Sequence, residues 1–185
     1  MRYQLLCIFV LTALLFNSCE DDPSTGLLNY DDVNLSAPLF APGDFEMAAR
    51  FPTNELSSFQ GRFIEEIEVY IQDRPARAEI LVYGEGTTTE PGRVLYSEVV
   101  TANMRSGQWN THMLSTPVEI IGDEEIWLAI RVRHTQPMGS VGCDAGPAVS
   151  NGDLLEDSNG NWTDLRAFTN NAIDINWNIR GVISE

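Results

Sequence analysis

The chain has 185 residues and a formal charge of −16, from 27 acidic residues against 11 arginines and no lysine. This balance excludes nucleic acid as a partner, because phosphates require basic side chains, and it equally excludes a polybasic membrane patch. Three cysteines, at 7, 19 and 143, are too few for a disulfide framework.

The first element in chain order is a leader. One positive charge, Arg2, precedes an apolar stretch from Leu5 to Phe16. That is about a dozen residues, the size of a signal-peptide core and short of the roughly 20 that span a bilayer as helix. The stretch ends in Phe16-Asn17-Ser18-Cys19, which resembles the lipobox of bacterial lipoproteins: a small residue, then cysteine, directly after the apolar core. Asn17 departs from the small or β-branched residue usual there. The resemblance implies that residues 1–18 are a cleaved signal peptide, that Cys7 leaves with it, and that Cys19 carries a diacylglycerol on its sulfur. Glu20-Asp21-Asp22 resembles the export tag of Bacteroidetes-type lipoproteins, which implies an outer-membrane, surface-exposed location. Residues 19–35 are acidic and broken by Pro and Gly, and read as a flexible linker. Residues 36–185 remain as one domain, long enough to bury a core.

Within that domain short alternating runs are separated by turn residues every eight to twelve positions or so, the pattern of an all-β sandwich or barrel. Phe45, Met47, Ala49 and Phe51 alternate with Glu46, Ala48 and Arg50, so one face of that run can be buried. Thr53-Asn54-Glu55-Leu56 starts a helical turn. Ile67, Val69 and Ile71 make a second strand, and Ala78, Ile80 and Val82 a third. A Gly/Thr/Pro loop from Gly84 to Gly92 leads to Val94-Leu95-Tyr96. Trp109 with Met113-Leu114 follows, then Val118-Glu119-Ile120 after Pro117. The strongest strand has Ile126, Leu128, Ile130 and Val132 on one face and Trp127, Ala129, Arg131 and Arg133 on the other. A long Gly/Pro-rich loop covers 135–152. Leu154-Leu155-Glu156 and Asn161-Trp162-Thr163 flank Asn159-Gly160, a hairpin with a positive-φ turn. Ile175, Trp177 and Ile179 form the last strand. The expectation is an all-β, jelly-roll-like antiparallel sandwich of roughly nine strands, its ends joined by non-local pairing.

Several spaced motifs carry a resemblance. They are Ala49-Arg50-Phe51-Pro52, Ile67-Glu68-Val69-Tyr70-Ile71, Gly107-Gln108-Trp109-Asn110 and Leu114-Ser115-Thr116-Pro117-Val118. Glu125-Ile126-Trp127-Leu128, Gly142-Cys143-Asp144-Ala145-Gly146-Pro147 and Asn176-Trp177-Asn178-Ile179-Arg180 complete the set. Together, over about residues 40–185, they resemble jelly-roll domains appended C-terminally to secreted Bacteroidetes-type peptidases and adhesin-like proteins. The resemblance implies a non-catalytic accessory role in adhesion or in binding glycan or protein.

The residues themselves offer little catalytic chemistry. A nucleophile needs a base and an orienting acid, yet the only histidines are His112 and His134, both on alternating runs. No nucleophile elbow, zinc-ligand cluster or phosphate-cradling loop occurs. Paired carboxylates of a hydrolase remain an alternative, which needs a cleft holding two acids with raised pKa. A structural subunit of an envelope or pilus-like assembly is a second alternative. No cofactor is called for; calcium is the metal the acids suit best, at Asp157-Ser158-Asn159-Gly160-Asn161. There Trp162 and Phe168 replace the glycine and bidentate Glu that such a loop needs. The remaining thiol, Cys143, reads as a buried apolar residue. Trp162 is the expected sugar platform, with Asp144 and Asp153 as polar ligand contacts and the loop 136–151 as the rim. The expected partner is an extracellular glycan or protein, with the membrane met only through the lipid anchor.

Overall fold

The computed structural model describes residues 26–184. The leader, Cys19 and the acidic tag lie outside the described residues. The domain is an all-β sandwich of two antiparallel sheets, with ten strands among the described residues. They are β1 (Gly26–Leu28), β2 (Gly43–Phe51), β3 (Phe63–Ile71), β4 (Arg77–Gly84), β5 (Arg93–Val99), β6 (Gln108–Glu119), β7 (Ile126–His134), β8 (Leu154–Glu156), β9 (Trp162–Asp164) and β10 (Ile179–Ser184). Two one-turn helices interrupt them, α1 (Thr53–Leu56) and α2 (Leu165–Phe168).

One sheet has the order β1-β10-β3-β6, the other β5-β4-β7-β2-β8-β9. Setting aside the β8–β9 hairpin, the remaining eight strands pass from one sheet to the other at every step but β4 to β5, which pair within one sheet, as in a jelly roll, and the first strand pairs with the last. The alternating runs face inward as expected. Phe45, Met47, Ala49 and Phe51 of β2 meet Ile67, Val69 and Ile71 of β3 and Ile126, Leu128, Ile130 and Val132 of β7 in one core. Each of these side chains other than Ala49 contributes about 1.5–3 kcal/mol when fully buried. Trp177 is core as well, its indole N–H donating to the Leu154 carbonyl at 2.9 Å. Cys143 is buried, and burial pushes its thiol pKa up.

Four elements differ from the sequence expectation. Residues 26–35 are not linker but domain. β1 adds an edge to β10, Tyr30 stacks on Phe51 at 4.7 Å, and Asp31 is buried against Arg180 at 2.8 Å and Asn178 at 2.7 Å. A run rich in acid looks soluble, but this acid has an arginine waiting on the last strand.

The two runs around Pro117 are one strand, β6, which is an edge strand in its sheet. The missing proline N–H therefore costs no ladder bond.

The Ile175–Trp177 run is irregular, and the strand proper begins at Ile179. Asn176 and Asn178 are buried; their side-chain amides donate to Asp144 and Asp31, while Asn178 N donates to the Gly142 carbonyl and the Asn178 carbonyl accepts from Tyr70 N.

Finally, half of the second face of β2, β4 and β7 is buried as well. Ala48, Leu81, Tyr83, Trp127, Ala129 and Leu154 form a second buried cluster there, with Trp162 packed on it.

Candidate functional site

The outer face of the six-stranded sheet is set by register. Across β4, β7, β2, β8 and β9, one transverse row places Glu79, Arg131, Glu46, Glu156 and Trp162 side by side. The next row toward the β2 start is Arg77, Arg133 and Asp44. On the other side lie Leu81, Ala129, Ala48 and Leu154, then Tyr83, Trp127 and Arg50. Charged residues thus occupy one half of the face and an apolar floor the other. The two alanines keep the floor low at its centre.

The charged half contains a cavity of about 350 Å³ lined by Asp44, Arg77, Glu79, Arg131, Val132 and Arg133. Its side chains are paired with alternating sign. The Arg133 guanidinium donates to both Asp44 oxygens, at 2.8 and 3.1 Å, and this contact holds the Asp44 carboxyl below its ordinary pKa. Arg77 donates to Glu79 at 3.1 Å. Arg131 reaches the Tyr83 hydroxyl at 3.2 Å and Glu46 at 2.8 Å, while Tyr83 donates to Glu46 at 2.6 Å. Glu46 is fully buried beneath this triangle, and the loss of water raises its pKa to about 7 despite the arginine. Three guanidiniums against two lining carboxylates leave this pocket close to neutral in a strongly acidic chain.

Trp162 is half-buried and meets Trp127 edge to face, with ring centroids 5.5 Å apart. The Trp127 ring is buried and donates its N–H to Glu125 at 2.8 Å. Arg50 closes that side, bonding Glu125 at 2.8 Å and Asn151 at 2.8 Å. The β8–β9 turn folds back beside Gly43, where a Cβ would stand 3.1 Å from the Ser158 Cβ. A side chain at Gly43 would therefore push the turn away from Asp44. The turn itself is held by Asp157, which accepts from the Asn159 and Asn161 amides at 2.8 and 3.0 Å. Those backbone bonds, Asn161 first, lower its pKa. The carboxylate suited to calcium is thus already engaged by its own turn.

The structure does not bring Asp144 and Asp153 to this surface. Asp144 is buried and ties loops together, accepting from Gly146 N, Asn176 N and Asn176 Nδ2 at 2.8, 2.7 and 2.9 Å. Asp153 is buried beside α2, 3.4 Å from the Arg166 amide and 3.5 Å from its guanidinium, and burial raises its pKa. Both acids satisfy backbone inside the fold, so the expectation that they contact a ligand is corrected. Of the three ligand-contact residues expected from sequence, Trp162 alone lies on an accessible face.

The residues that sequence reasoning missed are Asp44, Arg77, Glu79, Arg131 and Arg133. Their signal was present in part: Arg131 and Arg133 stand on the outward face of the strongest strand.

The histidines lie elsewhere. His134 Nε2 is 2.7 Å from Ser140 Oγ, but both residues are buried, and burial lowers the His134 pKa. His112 Nε2 lies 2.9 Å from the Tyr96 hydroxyl, which also donates to Glu98 at 2.5 Å, joining the edge strands β5 and β6 of the two sheets. Among the described residues no group of three or more His, Cys, Asp or Glu is placed to hold a metal ion. No helix among them is long and apolar enough to cross a membrane. The sequence matches no protein-family model and no curated protein.

Proposed function

We propose that this protein is a lipid-anchored, surface-exposed module that binds an uncharged glycan on the outer face of the six-stranded sheet and does no chemistry on it. The observation that carries the reading is the transverse row in which a carboxylate–arginine cavity and the half-buried Trp162 share one face. A sugar hydroxyl both donates and accepts hydrogen bonds, and paired guanidinium and carboxylate groups offer both roles side by side. Aromatic rings beside such groups supply the apolar contact that sugar rings use. Near-neutral local charge favours an uncharged ligand, and the acidic chain as a whole repels polyanions.

The non-catalytic part of the reading rests on access. Glu46 is the one acid on this face with a pKa near neutrality, yet it is fully buried under Arg131 and Tyr83 and cannot reach a glycosidic oxygen. The Ser140–His134 pair is equally enclosed. Screening the mature protein against arrayed neutral and acidic glycans tests both parts. The expected result is saturable binding to a neutral class, with the bound saccharide recovered at unchanged mass. Binding confined to acidic glycans, or cleaved products, contradicts the reading.

A further inference from the structure

Both ends of the sandwich expose apolar side chains, Leu39 and Phe168 among them at the cavity end, but the chain enters at the other. There Gly26 pairs with Ile183, Ile183 with Ile64, and Phe63 with Glu119. Residues 120–125 then lead into Ile126, which pairs with Phe51, so this end also holds the last residue of β2. Asp44 and Arg133, in the cavity, stand at the opposite end of the same strands. β2 has nine residues, so at about 3.3 Å per residue the cavity lies roughly 25 Å from the Gly26 end.

The Gly26 end exposes large apolar side chains: Leu27 at 43%, Phe63 at 36%, Ile121 at 41% and Met113 at 71%. Register places three of them on one face, with Leu27 and Met113 at its two edges, three strand spacings or about 14 Å apart. Leu27 stands beside Val182, Val182 beside Glu66, and Glu66 beside Met113, while Phe63 occupies the adjoining row between Ser184 and Glu119. All five named apolar residues lie on the outer side of the four-stranded sheet or at its end. Apolar residues exposed singly need no explanation, but several on one face at the point of chain entry do.

We propose that this end is a foot that rests on the lipid surface and so holds the glycan cavity facing away from it. The proposal rests on the reading of Cys19 as the lipid-bearing residue. Cys19 and Gly26 are seven residues apart in sequence, so their Cα atoms are at most about 25 Å apart whatever path the chain takes. An acylated Cys19 therefore keeps the Gly26 end within about 25 Å of the membrane, and the apolar side chains there set which way the domain faces. Tethering at this range supplies a high local concentration of lipid, so a few apolar side chains suffice for contact. The carboxylates of Glu66 and Glu119 among them keep the contact shallow, at headgroup depth. With no basic patch to draw anionic lipid, the contact is apolar and insensitive to salt.

The test uses the full lipidated protein in phosphatidylcholine vesicles. A fluorophore is placed by Ser58→Cys, beside the foot, or Asp73→Cys, in the turn after β3 at the far end, and the quencher is a nitroxide phospholipid. The native Cys143 is buried, and the chain without an added cysteine gives the labelling background. The expected result is quenching at position 58 several-fold stronger than at 73, unchanged by salt. Leu27→Ser, Phe63→Ser, Met113→Ser and Ile121→Ser together should bring position 58 down to the level of 73 while the protein still floats with vesicles. Equal quenching at both positions in floating wild-type protein, or a variant indistinguishable from wild type, overturns the foot. Failure of the wild type to float, or flotation retained by Cys19→Ala, overturns the anchor reading on its own and the foot with it.

Discussion

Glu46 shows how one residue ties the fold to the surface. Its carboxyl is buried with the Tyr83 hydroxyl and the Arg131 guanidinium as partners, and burial raises its pKa from an ordinary 4.5 to about 7. The folded chain therefore keeps a proton that the unfolded chain releases between these two values. Stability from this group is complete below pH 4.5, falls as pH rises through 7, and is flat above. The loss is on the order of 3 kcal/mol. Glu46→Gln carries no such proton. The Tm of wild type minus that of Glu46→Gln, taken with its sign, should thus fall steadily from pH 4.5 to 7, measured by thermal unfolding. A difference that stays constant or grows over that range would show that burial does not control this carboxyl. Nothing in the sequence pointed to it, because Glu46 alternates with core residues just as a solvated residue does. Its partners come from strands remote in the chain, and register across β4, β7 and β2 cannot be read from periodicity alone.

At the scale of elements, the strongly alternating strands were legible, since a period of two with one apolar face leaves β2, β3, β4 and β7 no other way to bury it. The Asn159-Gly160 turn was legible for the same local reason: Gly160 takes a positive φ of 83°. β1 was hidden. Its three residues mean nothing until β10 offers an edge, and the Asp31–Arg180 pair that follows spans almost the whole domain. Asp31→Ala should leave Arg180 and Asn178 without their buried acceptor and cost about 2 kcal/mol, less than a wholly buried pair because Arg180 is partly exposed. A chain begun at Ser36 should lose more, since it also lacks β1 and the Tyr30–Phe51 stack. Chemical denaturation compares the two. If the chain begun at Ser36 unfolds at the same midpoint as the full mature chain, residues 26–35 are linker after all.

For the whole molecule, the jelly-roll arrangement puts the chain entry, with Leu27 and Phe63 exposed, at one end and the paired-charge cavity at the other, about nine residues along β2. Trp162 was picked out from its place next to a turn, and the structure leaves it half-buried on the outer face. Asp144 and Asp153 were misplaced because loop acids in a Gly/Pro-rich stretch look alike in sequence whether they face solvent or cap buried amides. The account as a whole depends on the cavity and Trp162 acting as one surface. Titration calorimetry with a neutral glycan selected on the array tests this most directly, using wild type, Trp162→Ala, Arg133→Ala and, as a control on the other sheet, Thr111→Ala. The account predicts at least about a tenfold weaker Kd for each of the first two, which is roughly 1.4 kcal/mol, and an unchanged Kd for the control. Unaltered binding in both Trp162→Ala and Arg133→Ala, with each variant folded, would contradict it.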